Sequence, residues 1–282
     1  MVEFSWNIIF KCNYRCPYCW FHDKWDDISK INRYISVEEL IKYWKNIYYR
    51  YGTVEIQING GEPFIYPNFI ELVIELSKIH KVGITTNLSF DIDYFIRELK
   101  NSDNHNIGLG ASFHPLFVDY DNFIKKAIPL YKLGILKNIL YLAWPPQIKY
   151  IPLYKKKFEK EGLNFTVITF WGNYNGIDYP QGYTAEEREI INSALGVRSE
   201  SGEKFQLKPV KTKGRLCRAG QIYALIHPDG GVFRCGGGNW KEQHPPFANF
   251  FDEDFKLLDA PLPCESEECP CNEWSFLLVN PI

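Results

Sequence analysis

Residues 4–20 read FSWNIIFKCNYRCPYCW: an apolar run, FSWNIIF, that ends directly in a loop holding three cysteines. The run has the length and bulk of a short buried strand. Downstream, Ser36 followed by Glu39 is a capping-box pattern that opens an amphipathic helix over about 37–51, ending before Gly52. TVEIQIN (53–59) is alternating and β-branched, a second strand, and it runs into the turn Gly60-Gly61-Glu62-Pro63. The rhythm then repeats. Helices near 67–80, 91–100, 119–133 and 150–161 alternate with strands at 82–86, 107–112, 139–144 and 165–170. Six strands separated by single helices mean an α/β fold with a parallel sheet, and right-handed crossovers let such a sheet close or partly close into a barrel.

After about residue 172 the rhythm breaks. GNYNGIDYPQGY (172–183) reads as a Gly/Tyr/Asn loop, Thr184 with Glu187 caps a helix over about 185–195, and 196–214 reads as a connector. IYALIH (222–227), the turn Pro228-Asp229-Gly230-Gly231 and VFRC (232–235) form a hairpin. The expected division is a barrel core at 1–195 and an extension at 196–282.

The 282 residues carry 32 basic and 34 acidic side chains, a net charge of −2, which excludes a nucleic-acid binder working through bulk charge. Hydrophobic residues at 45% and charged ones at 23% are ordinary globular values. No stretch approaches the ~18 apolar residues of a membrane helix, and no basic n-region precedes the first apolar run. A cytoplasmic protein without membrane or nucleic-acid partners is expected.

Eight cysteines demand explanation: 12, 16 and 19, then 217, 235, 264, 269 and 271. The chain is large enough to hold a core without disulfide staples, and two tight clusters suit metal sites. Cys12, Cys16 and Cys19 form CxxxCxxC on the loop after the first strand. Three soft thiolates there can reach three irons of one cubane cluster and leave the fourth iron open for substrate or cofactor chemistry. The rival is a zinc site with His22 as fourth ligand.

CxxxCxxC with an aromatic before the last cysteine resembles the radical S-adenosylmethionine (AdoMet) superfamily. Asn59-Gly60-Gly61-Glu62-Pro63 stands where that family's GGEP motif lies, one βα unit later. The resemblance covers about residues 4–170. It implies a partial (β/α)6 barrel with its active site at the C-terminal strand ends. It also implies a [4Fe–4S] cluster whose open iron chelates AdoMet, and cleavage to a 5′-deoxyadenosyl radical that abstracts hydrogen. Tyr18 maps to the adenine contact. Gly60, Gly61 and Glu62 map to the cofactor's amino group, the glycines allowing close backbone approach to the ligand. Thr85-Thr86-Asn87 and Ser112 map to the ribose and carboxylate; the plainer alternatives are a helix N-cap and a polar strand end.

Cys217, Gly230 and Cys235 fit Cys-x₁₂-Gly-x₄-Cys, with Cys264, Cys269 and Cys271 following in LPCESEECPC. This looks like a SPASM/twitch extension. A cubane takes about four cysteines, so one auxiliary [4Fe–4S] cluster fits and one thiol is left over, to pack or to donate hydrogen. Zinc is the rival metal there. His114, after the fourth strand, is a candidate proton acceptor or substrate contact. Tyr179, Tyr183 and Trp171 are candidate pocket aromatics, while Lys155-Lys156-Lys157 reads as a solvated face.

The expected function is a radical AdoMet enzyme served by an external flavodoxin- or ferredoxin-like electron donor. Its substrate would be a peptide or protein side chain, with dehydrogenation of a small polar metabolite as the alternative. Strand one begins at residue 4, so no leader-binding domain is expected ahead of it. A non-catalytic iron–sulfur or zinc protein is the alternative of another class. It would need a fourth ligand at the first cluster.

Overall fold

The computed structural model describes residues 1–102, 106–195, 207, 210–236, 245–269 and 274–280. Six parallel strands alternate with helices as the periodicity predicts. They are β1 (Glu3–Ile9), β2 (Glu55–Gly60), β3 (Lys81–Thr86), β4 (Ile107–Ser112), β5 (Leu136–Ala143) and β6 (Phe165–Thr169). A short α1 (Trp25–Ile28) follows the cysteine loop, and α2 (Val37–Tyr51) leads to β2. Then α3 (Phe69–Ser77), α4 (Ile92–Lys100), α5 (Tyr120–Lys132) and α6 (Ile151–Lys160) each carry the chain to the next strand, and α7 (Ala185–Asn192) follows.

Strand burial explains the layering. In β2 to β5 fully buried residues alternate with half-buried ones, so one face packs on the helices and the other lines a concave interior that side chains do not fill. The outer face holds the core: Ile56 and Ile58, Val82 and Ile84, Leu109 and Ala111 are all buried against Trp44, Leu72, Phe95 and Phe123. Gly83, Gly108 and Gly110 stand on the concave face; a Cβ at Gly83 would lie 2.1 Å from Gln57 Oε1.

Two local devices differ from the sequence expectation. Ser36 caps α2 by accepting from Glu39 N, but the Glu39 carboxylate accepts from Tyr43 OH one turn on, leaving the box half-formed. The box at Thr184 and Glu187 is complete. The stretch expected as a loop at 172–183 contains a hairpin, β7 (Gly172–Tyr174) and β8 (Ile177–Tyr179). Its turn residues Asn175 and Gly176 both have positive φ, 53° and 79°. Asn-Gly is the residue pair such a turn favours, so the signal was present in the sequence.

Beyond α7 come β9 (Val210–Lys211), β10 (Leu216–Cys217), β11 (Tyr223–Ile226), β12 (Gly231–Phe233), β13 (Ala248–Asn249), β14 (Leu262–Pro263) and β15 (Glu268–Cys269). A short helix, α8 (Trp274–Leu277), follows them. The predicted hairpin is β11–β12, and it joins the core: β11 pairs in parallel with β1, Phe4 opposite Ala224 and Trp6 opposite Ile226. Among the described residues the sheet order is β13-β12-β11-β1-β2-β3-β4-β5-β6. The sheet therefore runs across the division expected at 195/196. Small ladders β10–β14 and β9–β15 gather the cysteine-bearing segments of the tail. Among the described residues no helix is long and apolar enough to cross a membrane.

Candidate active site

The motif loops meet at the C-terminal ends of β1 to β4. β1 and β2 run in register from Glu3 opposite Glu55 to Asn7 opposite Asn59, then shift so that Ile9 faces Gly60. This irregularity falls where the chain leaves β1 for the cysteine loop. Gly61 N donates to Ile9 O at 2.8 Å and Glu62 N to Lys11 O at 2.9 Å, stitching the Gly-Gly turn to that loop. A Cβ at Gly60 would come within 2.3 Å of Ile9 O, and one at Gly61 within 1.9 Å of Lys11 O. Gly60 also has φ +129°, which other residues rarely adopt. The close approach these glycines permit in the folded chain is thus backbone to backbone, between the two motifs.

Glu62 is 1% exposed. Its Oε1 accepts from Thr86 Oγ1 at 2.7 Å and Phe64 N at 3.2 Å, and its Oε2 from Asn87 N at 2.7 Å. Burial pushes the carboxyl up to about 6, and those three donors hold it back from rising further. The carboxylate is committed to the chain leaving β3. Asn87 in turn donates from Nδ2 to Asn13 Oδ1 at 3.0 Å and accepts from Ser89 N at Oδ1. It is not a helix cap: Asp91 caps α4 through Tyr94 N. Glu62 and Asn87 together fasten the end of β3 to the cysteine loop.

These elements enclose a cavity of about 240 Å³. Cys12, Cys16, Cys19, Tyr18, Gly60, Gly61, Glu62, Asn87, Ser112 and His114 all line it, so every residue expected at the first site is brought to one place. Thr85 and Thr86 line it too. Burial raises all three thiols, Cys16 up to about 12. Tyr18 is buried, and its hydroxyl stands 3.1 Å from His114 Nδ1. Burial pushes that imidazole down to about 4, so it is neutral at pH 7.

The sequence reading missed Tyr14, Trp20, Trp25, Leu140, Leu142 and Ile168 on the cavity wall. The leucines and Ile168 occupy the half-buried alternate positions of β5 and β6, which strand alternation alone identifies. Tyr14, Trp20 and Trp25 carry no such signal. Three aromatics named as candidate pocket residues do not line this cavity. Tyr183 is buried and donates its hydroxyl to Ala143 O at 2.7 Å, and Trp171 Nε1 donates to Thr169 Oγ1. Neither they nor Tyr179 lie on this cavity. His22 is also off the cavity wall and pairs with Asp23 at 3.3 Å.

A second cavity, about 430 Å³, is lined by Cys217, Cys235 and Cys264 together with His227 and Arg234. Cys269 packs beside Cys217, Cys235 and Cys264 in the small apolar cluster around Leu277 and Leu278. Burial raises the Cys217 thiol. Cys271 lies outside the described residues. No disulfide joins the seven described cysteines. Among the described residues no three of His, Cys, Asp or Glu converge as one metal ion requires.

Residues 6–115 match the family model of the Radical SAM superfamily. GTP 3′,8-cyclase of Haemophilus ducreyi is 38% identical over 79 residues, covering 27% of this chain and 23% of the relative. Human molybdenum cofactor biosynthesis protein 1 is 31% identical over 80 residues, 27% of this chain and 12% of the relative. The chain thus spans about a quarter or less of the length of these curated relatives. Among solved structures, SuiB of Streptococcus suis superposes with TM-score 0.66 at 17% identity, covering 90% of this chain and 64% of that one. The structure of anSMEcpe with bound AdoMet gives 0.61 at 17% identity, covering 89% and 78%. These two share its fold. Residues 6–115 thus form a domain of the radical SAM superfamily, and both of its motifs lie on one cavity.

Proposed function

We propose that this chain is a radical AdoMet enzyme in which Cys12, Cys16 and Cys19 hold a [4Fe–4S] cluster and the cavity beside them takes AdoMet. The observation that carries this reading is the convergence of three thiols, the Gly60-Gly61 turn, Ser112 and His114 on one 240 Å³ space. Three thiols on one loop beside the cavity can each bind an iron of one cubane cluster, which leaves its fourth iron open to the cavity. When bound, the cluster and AdoMet would supply a 5′-deoxyadenosyl radical able to take a hydrogen atom from a substrate carbon.

The chain's own residues divide the remaining work. The Gly60 and Gly61 carbonyls accept from the cofactor's ammonium, with the Glu62 charge behind them. Tyr18 would contact the adenine. Ser112 bonds the cofactor's polar groups, while Asn87 holds the cysteine loop in place. Leu140, Leu142 and Ile168 keep water from the reacting centre. His114 faces the same space as a neutral imidazole able to receive a substrate proton. An external one-electron donor of flavodoxin or ferredoxin type supplies the reducing equivalent.

At the second cavity, Cys217, Cys235, Cys264 and Cys269 form the set for one auxiliary [4Fe–4S] cluster of SPASM/twitch type. That leaves Cys271 as the additional thiol. A peptide or protein side chain is the substrate this reading favours. A structure of anSMEcpe contains both AdoMet and a peptide. A small polar metabolite is the alternative, since relatives matched in sequence are named for action on GTP.

Anaerobic reconstitution with iron and sulfide tests the core of the proposal. About eight irons per chain and dithionite-dependent release of 5′-deoxyadenosine from AdoMet are expected. About four irons would remove the auxiliary cluster, and no release would remove the enzyme. Parallel incubations with GTP and with a cysteine- or serine-containing peptide library, read by mass spectrometry, separate the substrate classes.

A further inference from the structure

Arg234 is a residue to which neither the motifs nor the fold comparison gives a role. It stands immediately before Cys235 at the end of β12, and its side chain is only 16% exposed. Its guanidinium donates to three backbone carbonyls: Nε to Ala219 O at 3.1 Å, Nη1 to Pro263 O at 3.0 Å and Nη2 to Leu262 O at 3.0 Å. Ala219 lies two residues after Cys217, and Leu262-Pro263 immediately precede Cys264. One planar fork therefore ties together three separate cysteine-bearing segments.

The ladder between them is short. β10 and β14 contribute only two residue pairs, Leu216 with Pro263 and Cys217 with Leu262. Two-stranded ladders of that length do not hold their geometry unaided. The aliphatic part of Arg234 is held as well, since a Cβ at Gly220 would come within 3.0 Å of Arg234 Cγ. Arg234 also lines the cavity shared by Cys217, Cys235 and Cys264, which sets its charge beside whatever group they hold. Glu265 Oε1, 3.9 Å away and half exposed, offsets that charge only in part.

We propose that Arg234 is the positioning residue of the second cysteine site: its fork sets the spacing of Cys217, Cys235 and Cys264, and its buried charge raises the reduction potential of the group they hold. This rests on the iron–sulfur reading of that cavity. The geometric half follows from the fork, because lysine carries a point charge and cannot reach three divergent carbonyls at once. The electrostatic half follows from charge: reduction adds an electron, which a neighbouring cation stabilises.

The test uses the full chain carrying Cys12→Ala, Cys16→Ala and Cys19→Ala, so that only the second site can load. This background should bind about four irons per chain on anaerobic reconstitution with ferrous iron and sulfide. Iron content and an EPR-monitored redox titration are then compared for Arg234→Lys and Arg234→Gln. Arg234→Lys should lose at least half of the iron while the remaining cluster keeps the parent potential. Arg234→Gln should lose iron similarly and shift the remaining potential to more negative values. Full iron and an unchanged potential in both variants would overturn the proposal. So would a lower melting temperature of the metal-free protein with iron and potential unchanged, which would make Arg234 a general structural clamp. A background that binds no iron would defeat the iron–sulfur reading itself, and this proposal with it.

Discussion

The hydroxyl of Tyr18 stands 3.1 Å from Nδ1 of His114, and the two rings stack at 27° with centroids 5.7 Å apart. This contact joins the cysteine loop to the end of β4 across 96 residues of sequence. It holds the proposed adenine contact and the proposed proton acceptor at a fixed distance. Tyr18→Phe removes the hydrogen bond and keeps the ring. The variant should bind iron at the first site as the parent does and lose about tenfold in 5′-deoxyadenosine release, about 1.4 kcal/mol. Iron assay with timed chromatography of the nucleoside checks both parts.

Burial holds His114 down at about 4, below the usual histidine value. Between about pH 4 and 6.5 the unfolded chain binds this proton and the folded chain does not. The His114 contribution to stability is therefore complete above about pH 6.5 and is lost as pH falls towards 4. NMR of the metal-free protein should show a neutral His114 imidazole at pH 6, and a charged ring there would refute the assignment.

Glu62 has the opposite sign. Its carboxyl is raised by burial to about 6, so the folded chain binds the proton more tightly than the unfolded one. Stability from this group is complete below about pH 4.5 and declines by about 2 kcal/mol as pH rises through 6 to about 7. Glu62→Gln removes that slope. It also sets an amide against one of three donors and lowers stability at pH 7 by about 1–3 kcal/mol. Urea unfolding of both proteins at pH 4.5 and 7 measures the slope and the offset.

Gly61→Ala places a methyl 1.9 Å from Lys11 O. The turn and the cysteine loop must separate, at a cost of about 1–3 kcal/mol. Loss of iron retention after gel filtration, with a lowered melting temperature, is the expected result. Gly134→Ala is the control: its Cβ would meet nothing within 4 Å, although its φ of +70° carries a strain of its own.

Cys16→Ala should abolish 5′-deoxyadenosine release while leaving iron at the second site. Nucleoside release in this variant at the parent rate would remove the three-thiolate assignment.

The parallel βα order was legible because each strand and helix announces itself within about ten residues through period-2 or period-3.6 hydrophobicity. CxxxCxxC and GGEP were legible because their chemistry is compressed into a few neighbouring residues. The β7–β8 hairpin was also written locally, in Asn175-Gly176, and was read as loop because the flanking strands are only three residues long. Tyr14, Trp20 and Trp25 were not legible, since with 46 aromatics in the chain nothing local marks these as pocket residues.

The sequence by itself determined the element order, and it singled out the three thiols and the Gly-Gly turn that line the first cavity at the strand ends. Only the tertiary structure decided what those neighbours do to one another. It turned Gly60-Gly61 into a backbone contact with Ile9 and Lys11, and it committed Glu62 to Thr86 and Asn87. It paired Tyr223–Ile226 with β1 and brought Arg234 against carbonyls beside Cys217 and Cys264. The physical reason is range. Periodicity and motif spacing report contacts within a turn or a loop, whereas hydrogen bonds between residues tens to hundreds of positions apart exist only once the sheet has closed the distance.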